Sequence, residues 1–314
     1  MHRRHVVLGR PPLEIDQRVW RVTVPSRALG VPKAFYIYLP PSYGRTDRQY
    51  PVLYLLRGHE REWVNAAEDG SRGGTVIDVY LQLLERRQVG EMILVFPGLT
   101  SDDNRVHGLA TDYHARALAP DTPGLGTGRF ESYLVGELIP LVDVTFRTRP
   151  EGAHRGVDGF SLGGYMAVKL AAKFPALFAT AGSYDGTFLY ADDSGRHVRD
   201  DDQVFRAGLF DPVFGRPRDQ GHAAANSPAN LILAADPVQL RRTRWFIQYG
   251  ARHLEPMGSN YFRGAYLRRI LAERGVTGLP PAVIPGGRHD WATADRHMLA
   301  TLPLHWQVLR KPPV

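Results

Sequence analysis

Val157-Asp158-Gly159-Phe160-Ser161-Leu162-Gly163-Gly164-Tyr165 sets the frame for the whole chain. It holds Gly159-x-Ser161-x-Gly163, the pattern of a nucleophile elbow, a tight strand-to-helix turn that exposes a serine hydroxyl from a strained backbone. Both flanks need glycine because a β-carbon there would meet the neighbouring strand or helix. The surroundings suit such a turn. Arg155-Gly156-Val157 leads in as a short strand. Met166, Leu170 and Phe174 recur at i, i+4 and i+8 with Lys169 and Lys173 opposite, so an amphipathic helix follows, and Pro175 stops it.

Upstream, residues 18–25 alternate apolar and polar as a half-buried strand does, and residues 33–40 form a second strand, an antiparallel opening to a sheet. Val52–Leu56 and Met92–Phe96 are continuous apolar runs, hence strands buried on both faces. Between them Thr75 begins a helix with Asp78 placed for a capping box. Residues 99–128 read as a long surface loop. Residues 130–146 have helical spacing that Pro140 should kink or split.

Downstream, residues 178–183 and 244–249 read as strands, and residues 186–240 lack sustained periodicity and suit a cap-like insertion. Asn260 is placed to N-cap a helix that ends at Gly275, with Val276 for the contact beyond. Residues 281–285 read as a last strand, and an apolar helix runs to about Leu309. Strands alternating with helices after an antiparallel start predict an α/β protein with a mostly parallel, doubly wound sheet, helices on both faces, and one domain over residues 1–314. Ligand sites in such sheets lie at the carboxyl ends of the strands. Gly58-His59, Ser161, the loop 250–255 and His289 all follow predicted strands directly.

The net charge of +7 comes almost wholly from arginine, since only Lys33, Lys169, Lys173 and Lys311 are lysines. The arginines are scattered among acids, and no nucleic-acid module accompanies them, so nucleic acid is not an expected partner. There are no cysteines, which excludes disulfides, thiolate zinc sites and a cysteine nucleophile. No apolar run suits a signal peptide or a membrane span, so the expectation is a soluble cytoplasmic protein with no membrane partner. No histidine spacing supports a metal site. Gly124–Gly128 follows a proline-containing loop rather than a strand, so it is not a phosphate cradle, and no cofactor is expected.

A serine hydroxyl becomes a nucleophile when a base takes its proton, and the base is a histidine held in one tautomer by an acid. With the elbow these follow in the order Ser, acid, His. His289, in a glycine loop after the last predicted strand, is the expected base, whereas His297 and His305 fall in the last helix as surface or packing residues. Glu255, after strand 244–249, is the favoured acid and Asp185, after the preceding strand, the alternative; Asp290 adjoins His289 and should diverge from it. The backbone N–H groups of Leu162 and His59 are the expected oxyanion donors. Glu60, Arg61 and Trp63 are candidates to line an acyl or alcohol pocket, with a core position for Trp63 the other reading.

Taken together, Tyr38-Leu-Pro-Pro-Ser-Tyr43, Tyr50-Pro-Val-Leu-Tyr-Leu-Leu-Arg-Gly58, Glu137-Leu-Ile-Pro140, Gly159-Phe-Ser-Leu-Gly-Gly164, Val213-Phe-Gly-Arg-Pro217, Ser227-Pro228 and Gly286-Gly-Arg-His289 resemble the esterase D group of α/β-hydrolases. That group includes S-formylglutathione hydrolases, feruloyl esterases, enterobactin-type esterases and mycobacterial mycolyltransferases. The resemblance runs from about Val22 to Trp291. It implies the α/β-hydrolase fold, Ser161 as nucleophile, His289 as base, and Leu162 and His59 as oxyanion donors. Gly250–Met257 looks like an expanded form of the segment that carries the group's acid, which supports Glu255. Three features depart from the group. Arg57 stands where His or Asp is usual, which bears on the pocket, Asp158 stands where a small or apolar residue is usual, and the acid loop is longer. The expected activity is hydrolysis of a small-molecule carboxylic ester through an acyl-enzyme. Acyl transfer by the same site, or a non-catalytic binding role, are the alternatives.

Overall fold

A computed structural model describes residues 6–188, 208–254 and 259–311. Its frame is one eight-stranded sheet: β1 (Leu8–Gly9), β2 (Val19–Pro25), β3 (Pro32–Tyr38), β4 (Val52–Leu56), β5 (Ile93–Pro97), β6 (Arg155–Gly159), β7 (Thr180–Tyr184) and β8 (Arg244–Gln248). The spatial order is β1-β2-β3-β5-β4-β6-β7-β8. The first three strands join antiparallel and reach β5; from β5 onward every pairing is parallel.

The helices are α1 (Val76–Glu85), α2 (Phe130–Tyr133), α3 (Ile139–Thr145), α4 (Leu162–Lys173), α5 (Asp211–Phe214), α6 (Gln220–Ala225), α7 (Pro228–Ala234), α8 (Pro237–Arg242), α9 (Ser259–Glu273) and α10 (Trp291–Leu309). The apolar runs behave as expected. All five residues of β4 and of β5 are buried. Alternate β4 residues serve two cores, Val52, Tyr54 and Leu56 on one face and Leu53 and Leu55 on the other, so helices must cover both faces. Thr75 caps α1 with Asp78 closing the capping box. After α9, Gly275 has φ +80°. Its N–H donates to Ala272 O and that of Val276 to Leu271 O, a Schellman ending.

Two expectations need correction and one is met. Residues 281–285 form no strand but a single parallel bridge, Val283 to Tyr249. Pro281 and Pro285 have no N–H to donate, which leaves a ladder only one rung. Pro140 does split its helix, as expected: α2 and α3 are separated by a π-helical turn, Leu134–Leu138, and Pro140 stands in the first turn of α3. Ile139 N–H there reaches back five residues to Leu134 O, and the widened turn absorbs the donor that proline lacks. Asn260 lies inside α9 rather than capping it. Of the irregular segment 186–240, residues 189–207 lie outside the described residues; the rest holds the short helices α5 to α8, of which α7 packs on α4.

Register sets the position of the site. Leu56 of β4 pairs with Gly159 of β6, so the chain leaves the sheet at Arg57 and at Phe160 side by side. The bridge from Phe160 to Tyr184 brings the end of β7 to the same point.

Candidate active site

The elbow is built as its glycines require. Ser161 has φ +56° and ψ −117°, a conformation that costs a side-chain-bearing residue on the order of 1–3 kcal/mol. The surroundings hold it there: Ser161 N–H donates to Tyr184 O at 3.0 Å, and Thr187 N–H donates to Ser161 O at 3.1 Å. A β-carbon on Gly163 would lie 1.8 Å from Leu56 O, a backbone atom of the central strand that cannot yield. Gly163→Ala is therefore expected to cost about 3 kcal/mol, the upper range for overpacking, visible as a lower urea midpoint with an unchanged m-value. A midpoint equal to wild type would contradict this packing.

Three side chains meet at the turn. His289 Nε2 lies 3.0 Å from Ser161 Oγ. His289 Nδ1 makes a short hydrogen bond to Asp185 Oδ2, and the Asp185 side chain is fully buried. Asp185 follows β7 directly, at φ +46°, with its N–H on Gln248 O of β8 at 2.9 Å. Asn260, from the first turn of α9, donates through Nδ2 to Asp185 O at 3.2 Å. The His289 ring sits 4.8 Å from the Phe160 ring, while 28 % of its side chain stays open to solvent. Asp290, its neighbour, points away and caps α10 by accepting from Thr293 N–H at 2.8 Å. Glu255, the favoured acid on sequence grounds, lies outside the described residues. The carboxylate bonded to His289 is that of the alternative, Asp185.

Leu162 is the first residue of α4, so its N–H has no acceptor within the helix. The other expected donor is occupied: the N–H groups of Gly58 and His59 donate to Glu62 Oε2 at 2.8 and 2.7 Å. Arg57 lies with its guanidinium carbon 5.4 Å from the Phe160 ring centre. Trp63 takes its core reading rather than a pocket wall. It is 1 % exposed, donates to Leu56 O at 3.0 Å, and meets Trp291 edge-on. The short turn Glu62–Val64 folds it beneath the loop.

Asp158 explains itself in three dimensions. Its carboxylate is wholly buried and accepts from His297 Nε2 at 3.0 Å, His305 Nε2 at 2.9 Å and Thr301 Oγ1 at 3.3 Å. These three stand at i, i+4 and i+8 on α10, so both histidines are buried packing residues, not surface ones. Gln248 Oε1 and Thr180 Oγ1 engage the far nitrogens of the two rings. Burial alone would raise the Asp158 carboxyl, but the charge and hydrogen bond of His297, joined by those of His305, hold it well below the usual carboxylate range.

A depressed folded-state pKa adds stability that is complete above the unfolded value, about 3.9, and is lost as pH falls through the folded one. Asp158→Asn leaves two buried rings facing an amide and should cost about 3–5 kcal/mol at neutral pH. Urea titrations at pH 7 and pH 3 check both points: the gap between variant and wild type should narrow in acid. A gap that stays constant would mean that the carboxylate charge is not what stabilises the fold.

Among the described residues no cluster of His, Asp and Glu could hold a metal ion, and no helix is long and apolar enough to cross a membrane.

Comparison with known proteins matches this architecture. The family described as "Putative esterase" matches residues 26–223. An esterase of Mycobacterium tuberculosis strain H37Rv is 27% identical over 268 residues, covering 82% of this chain and 51% of that protein. The chain thus spans about half the length of the curated relatives it matches first. Among solved structures, a ferulic acid esterase aligns with a TM-score of 0.68 at 21% identity, over 94% of this chain and 99% of that one. An S-formylglutathione hydrolase from Agrobacterium tumefaciens aligns with a TM-score of 0.66 at 15% identity, over 98% and 100%. The fold is that of the α/β-hydrolases.

Proposed function

This chain belongs to the esterase family, and from that premise we propose that it hydrolyses small-molecule carboxylic esters through an acyl-enzyme on Ser161. One observation carries the reading: a single imidazole touches the strained serine with one nitrogen and a buried carboxylate with the other. Asp185 accepts from His289 Nδ1–H, which leaves Nε2 unprotonated and aimed at Ser161 Oγ. As Oγ attacks the ester carbonyl, Nε2 takes its proton, and Asp185 stabilises the imidazolium that forms. Negative charge then collects on the former carbonyl oxygen, where Leu162 N–H and the positive end of α4 meet it, with His59 N–H as the second donor. His289 returns the proton to the leaving alcohol. A water entering beside the partly open imidazole is deprotonated in turn and releases the acid.

The direct test combines a fluorophosphonate probe with p-nitrophenyl esters of graded chain length. Covalent labelling and a preferred chain length are expected. A protein that neither labels nor turns over any of these esters would sink the proposal.

A further inference from the structure

Two backbone donors converging on one oxygen is the arrangement that an acyl oxyanion takes. Gly58 and His59 make that arrangement, but on a carboxylate of the protein itself. Glu62 Oε2 receives both N–H groups, and the Glu62 side chain is only 6% exposed. An oxyanion and a buried carboxylate cannot share that position, because like charges repel strongly where water is excluded. Hydrolysis as read above therefore requires Glu62 to let go of His59 N–H.

The loop contains a place for it to go. Glu62 Oε1 is 3.7 Å from Arg57 Nε, too far for a hydrogen bond. Arg57 Nε is buried and has no hydrogen-bond partner. Burial, and then the charge of Arg57, push His107, whose Nδ1 lies against Gly58, down to about 4. It is thus uncharged at neutral pH and does not compete for the carboxylate. A shift of about 1 Å would bring Oε1 within hydrogen-bond range of Arg57 Nε, and rotation of the carboxylate about that new bond would carry Oε2 off the two amides. Arg57 is also one of the positions at which this chain departs from the esterase D pattern.

We propose that Glu62 is a latch on the oxyanion loop and that Arg57 receives its carboxylate when an ester binds, freeing His59 N–H for the oxyanion. Both are positioning residues, and the proposal rests on the ester-hydrolase reading. The buried Nε, paired with Glu62 Oε1 at 3.7 Å but without a hydrogen bond, is the half-closed end of a contact that closes fully only in the substrate-bound state.

The test is a double-mutant cycle read as kcat and KM on one p-nitrophenyl ester, with unfolding midpoints recorded throughout. Arg57→Met removes the receiving position, and kcat should fall at least tenfold with KM within threefold. Glu62→Ala removes the latch and should raise kcat at least threefold. In Arg57→Met/Glu62→Ala there is nothing left to release, so kcat should return to within threefold of Glu62→Ala alone. Should Glu62→Ala fail to fold, Glu62→Leu, which fills the space but has no acceptor for the two N–H groups, should give the same rescue. A double variant as slow as Arg57→Met, or a tenfold loss in a folded Glu62→Ala, overturns the latch. Wild type that neither turns over esters nor labels with a fluorophosphonate overturns the functional reading itself, and this proposal with it.

Discussion

Ser161→Ala is expected to lower kcat on p-nitrophenyl esters by about 10⁴- to 10⁶-fold and to abolish fluorophosphonate labelling. The size follows from the chemistry. Without Oγ there is no acyl-enzyme, and what remains is the contribution of binding and of the oxyanion donors to direct attack by water. The substitution should leave the fold intact. Alanine, like serine, has one β-carbon, so it inherits the same φ of +56° that the elbow already holds in place through Tyr184 O and Thr187 N–H. Ser161 Oγ otherwise lies 3.4 Å from Thr187 Oγ1, a long contact whose loss is minor. An unfolding midpoint near that of wild type, with activity gone, is the expected pair of results. Activity within tenfold of wild type would place the nucleophile elsewhere.

Asp185→Asn should cost about 10³- to 10⁴-fold in kcat. An amide at that position no longer carries the charge that stabilises the imidazolium. Its NH₂ group, turned toward Nδ1, would also stabilise the tautomer with its proton on Nε2, which cannot take one from Ser161. Asn260 continues to hold the backbone at Asp185 O, so the loop should keep its place while the chemistry fails. Glu255→Gln is the discriminating comparison. A loss of similar size there, with Asp185→Asn mild, would transfer the role of acid to Glu255. Measuring kcat for both variants alongside their unfolding midpoints separates a lost charge from a lost fold.

The local features were legible because their causes are local. Apolar runs at Val52–Leu56 and Met92–Phe96 mark strands with no solvent face. Thr75 with Asp78 and Gly275 with Val276 announce helix ends through short-range hydrogen bonds. The elbow is a contact between residues four apart, since a β-carbon on Gly159 would lie 2.3 Å from the carbonyl of Gly163. In the same way, chain order pointed to His289 as the candidate base. The expected split at Pro140 and the unexpected lack of a strand at 281–285 have one origin. Proline removes a donor, and whether a π turn or a lone bridge compensates depends on the neighbouring segment.

Sequence alone determined the doubly wound sheet and the candidate pair Ser161 and His289. Only the tertiary structure decided what surrounds them. Asp185 and Glu255 follow adjacent parallel strands, and nothing within either loop says which carboxylate faces the imidazole. The Phe160–Tyr184 bridge sets Asp185 there, through a pairing across the sheet. Asp158, an odd residue in a strand core, acquires its meaning from three residues on a helix more than 130 positions away. Glu62 was close in sequence to the expected oxyanion donor, yet its hold on His59 N–H depends on how a single turn folds back over the end of β4. Periodicity and turn chemistry are read along the chain, but charges choose their partners through space.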